Sequence, residues 1–312
     1  MANKRNTNDR YNLIFCIDNN YYPLLKYVFK TFIKNNDPSK FNLYFVTDKS
    51  GDVELENRIR NKLLEISPEF NVFIKQFDPP EDFKNLVEGY SNILNKLIKK
   101  CRKEKMCTIL GVPSKRMLEI SKNVSNWSRF YISELFPEIK KGLYLDLDIL
   151  FKGNIEELLN IDLEGNLVGA CRVTTKNKPK LRQSEKMFMN NFDDELLKNI
   201  NLDLKELNNF QYNCGVLYID FDKFKEEEIL KKIKFILKYM IDSGNILYLS
   251  GTNQIQWLVA PNFKVLPNRF NTILKWATTK ARKSATILHF KGLITSHPPE
   301  EYIKSYKEIY YD

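Results

Sequence analysis

Apolar positions along the chain fall into short solid runs alternating with longer stretches of helical spacing. Residues 11–17, 41–48 and 70–77 read as strands, and between them 22–35 and 53–66 carry apolar residues every three or four positions. Asn36-Asp37-Pro38 closes the first of these helices. Strand, helix, strand, helix, strand predicts an α/β fold: a mixed, mostly parallel central sheet flanked by helices. Pro79-Pro80 breaks the regularity, and 83–118 reads as a helical insertion or lid. A helix opening at 126–131 leads through Pro137 into 140–162, KKGLYLDLDILFKGNIEELLNID. There the apolar residues 143–145 and 149–151, bracketed by Gly142 and Gly153, predict one buried strand carrying Asp146 and Asp148. Strands at 167–173, 210–220 and 286–290 follow, with a basic amphipathic helix at 224–240, a helix opening at 251–254 and a Tyr-rich helix over 298–312. No repeat or Pro/Gly/Ser linker divides the chain, so the pattern predicts a single domain over 9–300 and a helical tail over 301–312.

Composition narrows the classes of function. With 43% hydrophobic and 13% aromatic residues, the chain has the makings of a packed core and is not of the disordered type. A net charge of +10, from 49 basic and 39 acidic residues, suits a phosphate-bearing ligand, a polyanion or an anionic membrane surface; a lysine-rich surface without any partner gives the same balance. No nucleic-acid partner is expected, because no binding motif accompanies the charge. No apolar run approaches the ~18–20 residues that span a bilayer. The N-terminal MANKRNTNDRYN lacks the apolar core of a signal peptide, so a cytoplasmic location is expected, with contact at the membrane surface the association that the charge suits. Five scattered cysteines without a CxxC pair argue against a zinc site or a disulfide framework. Two histidines and no nucleophile elbow leave no basis for a Ser-His-Asp relay.

The paired acids carry the strongest chemical signal. Residues at i and i+2 on a strand point the same way, so Asp146 and Asp148 would be buried side by side. That is costly unless a cation or hydrogen bonds offset it, and oxygen ligands suit magnesium or manganese. Spacing alone leaves open a solvated strand end. It also leaves open the nucleophile loop of a haloacid-dehalogenase-type phosphatase, although that group places its DxD early and follows it with a hydroxyl-bearing turn, not Ile149-Leu150-Phe151. Elsewhere, Asp18-Asn19-Asn20-Tyr21 follows the first strand, where open α/β sheets bind ligands. Arg129 is either a phosphate or sugar clamp or a surface arginine covering apolar neighbours. Asn213 reads as a ligand-binding amide or a turn cap, and His289, on its residue type alone, as a core imidazole.

Five segments, in this order and spacing, resemble glycosyltransferase family 8, the family of glycogenin and of the bacterial lipopolysaccharide galactosyl- and glucosyltransferases. They are FCIDNNY (15–21), NWSRFYISELFP (126–137), YLDLDILFKGNIEELLNIDL (144–163), YNCGVLYIDFDKF (212–224) and HFKG (289–292), with NQ (253–254) and NRFN (268–271) in support. The resemblance covers most of the chain, from about Asn12 to Pro298. It implies a GT-A fold, a UDP-hexose donor (glucose or galactose), a divalent ion (manganese, or magnesium) and retaining transfer to a hydroxyl of a glycan, lipid-linked or protein acceptor. Asp146, Asp148 and His289 would be the metal ligands. Asp18 and Asn20 would bond the uracil, with Tyr21 stacked on it and the backbone near Leu147 at the ribose. Arg129, Asn213 and Asn253 would hold the transferred sugar, Gln254 would sit at its far face, and Lys291 and Gly292 would meet the diphosphate. Three departures stand out: Asn253 replaces the family's aspartate, Thr295-Ser296-His297 replaces its Lys-Pro-Trp, and an acid is missing near Val173. These departures motivate the alternative of a catalytically weak sugar-binding relative.

Overall fold

A computed structural model describes residues 10–49, 54–103, 118, 122, 124–172, 193–203, 212–244, 256, 258–291 and 298–311. Strands β1 (Tyr11–Ile17), β2 (Phe41–Asp48) and β3 (Asn71–Phe77) lie parallel and in register, as the apolar runs predict. Helix α1 (Leu25–Asn35) connects the first pair and α2 (Leu55–Ile66) the second. Strand alternation sorts the side chains into two cores. Leu13, Phe15, Ile17, Leu43 and Phe45 face α1 and α2, whereas Ile14, Tyr44 and Val46 face the opposite way. The opposite face is covered by α3 (Glu81–Lys103), α4 (Val124–Ser128) and α5 (Ile229–Ser243). At the amino ends of the strands, Asn71 donates to Asn42, Asn42 to Asn12 and Asn12 to the Lys141 carbonyl, at 2.9, 3.1 and 3.0 Å. This amide ladder satisfies polar groups that would otherwise interrupt three adjacent strands.

The segment expected as a helical insertion is built into the fold over its described part. Phe83, Tyr90, Leu94 and Ile98 form one stripe of α3, all at most 4% exposed, and they share a core with the sheet and with Ile233 and Leu237 of α5. Burial of each such side chain contributes about 1.5–3 kcal/mol. Residues 104–117 of the expected insertion lie outside the described residues.

The expectation of one strand through 143–151 does not hold. The run divides into β4 (Lys141–Leu145) and β5 (Ile149–Phe151), which belong to different sheets. Among the described residues, the large sheet has the order β3-β2-β1-β4-β7-β6-β8, where β6 is Val168–Arg172, β7 is Tyr212–Asp220 and β8 is Lys264–Leu266. Pairing is parallel from β3 through β4 and between β6 and β8, and antiparallel for β4–β7 and β6–β7. The small sheet is β5-β10-β9, with β9 at Thr272–Ile273 and β10 at Ile287–His289. Asp146, Leu147 and Asp148 therefore turn a corner between two sheets. The Asp146 N–H donates to Gly215 in the large sheet at 2.8 Å, and the Asp148 carbonyl accepts from Phe290 N–H beside the small one at 2.7 Å.

The Tyr-rich helix α6 (Glu300–Tyr311) seals that small sheet. Tyr302 is wholly buried, edge-on to Phe290, and its hydroxyl donates to the Ile149 carbonyl at 3.2 Å. Tyr306 packs edge-on against Tyr27 of α1 at 4.8 Å between ring centroids. The expected tail is thus tied to the strand that follows the acid pair. No helix among the described residues is long and apolar enough to cross a membrane.

Urea unfolding tests this closure. Tyr302→Ala should destabilise the protein by about 3–5 kcal/mol, as removal of a buried aromatic ring does. Tyr302→Phe, which keeps the ring and loses the hydrogen bond to Ile149, should cost only about 0.5–1.5 kcal/mol.

Candidate active site

Three side chains converge at the corner. Asp146, Asp148 and His289 each offer a ligand atom, and the three atoms lie within 4.8 Å of one another. His289 Nε2 is 3.1 Å from Asp148 Oδ1. Asp148 and His289 are buried, with side chains 6% and 1% exposed, whereas Asp146 is 30% exposed and faces the cleft. The corner, not strand alternation, brings the carboxylates together: Asp146 follows β4, Asp148 precedes β5, and β10 pairs with β5 so that His289 lies opposite Ile149.

The wall behind the triad is made for it. At Gly215 on β7, an added Cβ would sit 2.3 Å from His289 Cε1 and 2.8 Å from Asp146 Oδ2, so only glycine fits. Asn213 is buried and its Oδ1 accepts from Gly215 N–H and from the Asn271 amide, each at 2.9 Å. Asn271 Oδ1 in turn lies 2.8 Å from His289 Nδ1. Asn213, expected at the sugar, therefore has its carbonyl turned to the scaffold. Residue type reveals neither the role of Asn271, which closes the NRFN segment, nor the cradle role of Gly215, for which a glycine inside a buried strand is the signal.

Asp18, Tyr21, Arg129, Asp146, Leu147 and Asp148 line one cleft at the carboxyl ends of β1 and β4, and Cys16, Asn126 and Tyr144 complete its wall. The Asp18 carboxylate accepts from Asn20 and Tyr21 N–H at 2.9 and 3.1 Å, shaping the turn on which both residues sit. Asn20 is exposed, and its amide is 3.4 Å from the second Asp18 oxygen. The Arg129 guanidinium stacks on Tyr144, 4.8 Å from the ring centroid, with Nη2 3.6 Å from Asp146 Oδ1. The Tyr144 hydroxyl donates to that same oxygen at 2.9 Å. Lys291 follows β10, and its ammonium lies 5.1 Å from the Trp276 ring centroid. Asn253, Gln254 and Gly292, with Thr295, Ser296 and His297, lie outside the described residues.

Electrostatics reflect the crowding. Burial raises the Asp146 carboxyl above the ordinary range; Arg129 opposes that rise and Asp148 adds to it. Burial works against an imidazolium at His289, but the charge and hydrogen bond of Asp148 outweigh it, and its pKa is raised. Burial pushes the Cys16 thiol up to about 11, so it meets the cleft as a neutral group. Two carboxylates and one imidazole, crowded against a glycine whose side chain would fill the space, fit a divalent cation. A donor set mixing oxygen with one nitrogen suits manganese more than magnesium.

Comparisons with known proteins place the chain in a family. A family model described as glycosyl transferase family 8 matches residues 12–295. A putative glycosyltransferase of Haemophilus influenzae is 25% identical over 264 residues, which are 83% of this chain and 62% of that protein. The lipopolysaccharide 1,2-glucosyltransferase of Escherichia coli is 26% identical over 175 residues, 54% of this chain and 45% of that one. The chain thus spans less than two thirds of either relative. Among solved structures, the galactosyltransferase LgtC with donor and acceptor sugar analogs superposes at a TM-score of 0.57 with 15% identity, covering 96% of each chain. Mouse xyloside xylosyltransferase 1 superposes at 0.54 with 15% identity, covering 93% of this chain and all of that one. These likenesses establish the GT-A fold, and the family match over nearly the whole length establishes that the chain belongs to glycosyltransferase family 8.

Proposed function

We propose that the chain is a retaining, cation-dependent hexosyltransferase that moves glucose or galactose from a UDP-sugar to a hydroxyl of a glycan, lipid or protein. The observation that carries this reading is the convergence of Asp146, Asp148 and His289 beside a cleft lined by Asp18, Tyr21 and Arg129. A glucosyltransferase among the relatives and a galactosyltransferase among the similar folds support a hexose. The net charge of +10 suits a phosphate-rich donor and an acceptor at an anionic membrane surface on the cytoplasmic side.

Asp146, Asp148 and His289 would hold the cation, and Asp146, the most exposed of them, would face the diphosphate. When bound, the cation supplies Lewis-acid stabilisation of the negative charge that builds on the departing diphosphate. Tyr21 and the turn shaped by Asp18 would receive the uracil, and the backbone at Leu147 the ribose. Arg129 is kept charged near Asp146, too far for a full hydrogen bond, and its N–H groups would hold the sugar or a phosphate oxygen. Asn253 and Gln254 are assigned to the sugar, and Lys291 and Gly292 to the diphosphate, on the family resemblance. The bond from the anomeric carbon to the diphosphate oxygen breaks as the bond to the acceptor oxygen forms on the same face, and the acceptor proton passes to the departing phosphate. An amide at Gln254 is too weak a nucleophile for a covalent intermediate, which favours this same-face course.

Three measurements test the reading. UDP-glucose and UDP-galactose hydrolysis should require manganese and vanish in Asp148→Asn. A protein that hydrolyses neither donor, and binds neither by calorimetry with manganese present, would overturn the assignment. Gly215→Ala should abolish manganese binding with the secondary structure intact by circular dichroism, because the added methyl occupies the space between His289 and Asp146. Raised pKa values make the metal-free protein lose stability as pH rises, from near the ordinary carboxyl value of 3.8 for Asp146 and from near the ordinary imidazole value of 6.5 for His289. The cation replaces that proton, so the increase in Tm on adding manganese should grow between about pH 6 and pH 8. An increase that is flat or shrinks over this interval would remove His289 from the ligand set.

A further inference from the structure

We infer that Asn271 determines which imidazole nitrogen His289 offers to a cation, and that the backbone N–H of Gly215 sets the direction of this relay. The inference rests on the reading of Asp146, Asp148 and His289 as a cation site and adds a positioning residue to it.

An asparagine amide can present either its oxygen or its nitrogen to a neighbour, and a neutral imidazole can carry its proton on either nitrogen. A chain of two amides and one imidazole could therefore run in either direction. One link removes the freedom. The Gly215 N–H can only donate, so the Asn213 atom 2.9 Å from it is the amide oxygen. That oxygen also lies 2.9 Å from the Asn271 side chain, whose facing atom must then be the NH2 group. The remaining end of Asn271, 2.8 Å from His289 Nδ1, is its oxygen, and Nδ1 must be the nitrogen that carries hydrogen. Nε2 is left facing Asp148, 3.1 Å away, with its lone pair available for a cation shared with the carboxylates.

Burial makes the relay binding on the ring. Asn213, Asn271 and His289 are 4%, 5% and 1% exposed, so solvent is a poor substitute for any link. Reversing one amide would set two donors, or two acceptors, against each other in a buried space, at a cost of about 1–3 kcal/mol for the group left unsatisfied. The starting donor is itself anchored: Gly215 also accepts the Asp146 N–H at 2.8 Å, so the corner that carries the first ligand sets the orientation of the third. Asn271 ends the 3-10 turn Asn268–Asn271 next to β9, and β9 pairs with β10, which places the amide beside the imidazole.

Manganese binding without any donor sugar, followed by electron paramagnetic resonance, tests the inference. Asn271→Leu, similar in volume but unable to accept from Nδ1–H, should weaken binding about 10–100-fold, the usual effect of losing such a partner. Asn271→Asp keeps an acceptor for Nδ1–H but sets its other oxygen against Asn213 Oδ1, so it should bind manganese more weakly than the wild type and more tightly than Asn271→Leu. Nitrogen-15 spectra of the cadmium-loaded protein provide a readout that a purely structural role would not move. The chain has two histidines, and His297→Gln leaves the His289 ring alone in the spectrum. The expected ring carries its proton on Nδ1 and its metal on Nε2, and Asn271→Leu should lose that single preference. A folded Asn271→Leu that binds manganese like the wild type, or a wild-type ring protonated on Nε2, would overturn the inference and leave the site reading standing. Should Asn271→Leu not fold, the wild-type spectrum and Asn271→Asp decide the question. A wild type that takes up no manganese would instead overturn the cation site and the inference with it.

Discussion

Two carboxylates of like charge, one of them almost fully buried, share a corner between two sheets with a single imidazole. Water cannot solvate such a cluster, so the surrounding fold has to. Most of what is unusual here answers that constraint. Tyr144 donates to Asp146, Arg129 sets a cation beside the same carboxylate, and His289 Nε2 lies 3.1 Å from Asp148. Gly215 gives up a side chain so that the three side chains can approach. Asn213 and Asn271, two buried amides, spend their hydrogen-bonding capacity on the orientation of one ring. In a merely structural cluster, apolar residues of similar volume would be the cheaper solution.

Architecture supplies the rest. Parallel strands β1 and β4 end at the same edge, which brings the Asp18 turn and Asp146 into one cleft. Strand β7 runs against β4, so its first residues, Asn213 and Gly215, arrive at that edge. The chain then leaves the large sheet through Asp146-Leu147-Asp148 and starts the small one, where β10 delivers His289 from 141 positions further along the sequence than Asp148. Helix α6 locks this second sheet through Tyr302. A C-terminal helix that looks like an appendage thus supports the element carrying the metal-ligand candidates.

Legibility in the sequence followed the range of the interactions involved. Strands β1, β2 and β3 and helices α1 and α2 were readable because their apolar periods are local, and the two-sided burial of parallel strands leaves solid runs such as YNLIFCI. The acid pair was readable as chemistry, since two aspartates inside an apolar run need compensation. Its element was not: the run LYLDLDILF has the apolar continuity of a strand, and nothing local marks the change of sheet at Leu147. His289 carried no signal of its own type, and entered the metal site only through the order of motifs along the chain. Asn271 and Gly215 were visible as residues and not as functions.

Alone, the amino-acid sequence determined the α/β class, the paired aspartates and, through five ordered segments, the family. Periodicity and motif order are properties of the chain itself and survive without coordinates. Only the tertiary structure decided that the aspartates meet at a corner rather than along a strand, and that β10 sets His289 against them. It alone revealed the backbone N–H at the head of the amide relay. Those relations join residues far apart in the chain, through pairings between strands and a contact shorter than a methyl group allows, and no local pattern encodes them.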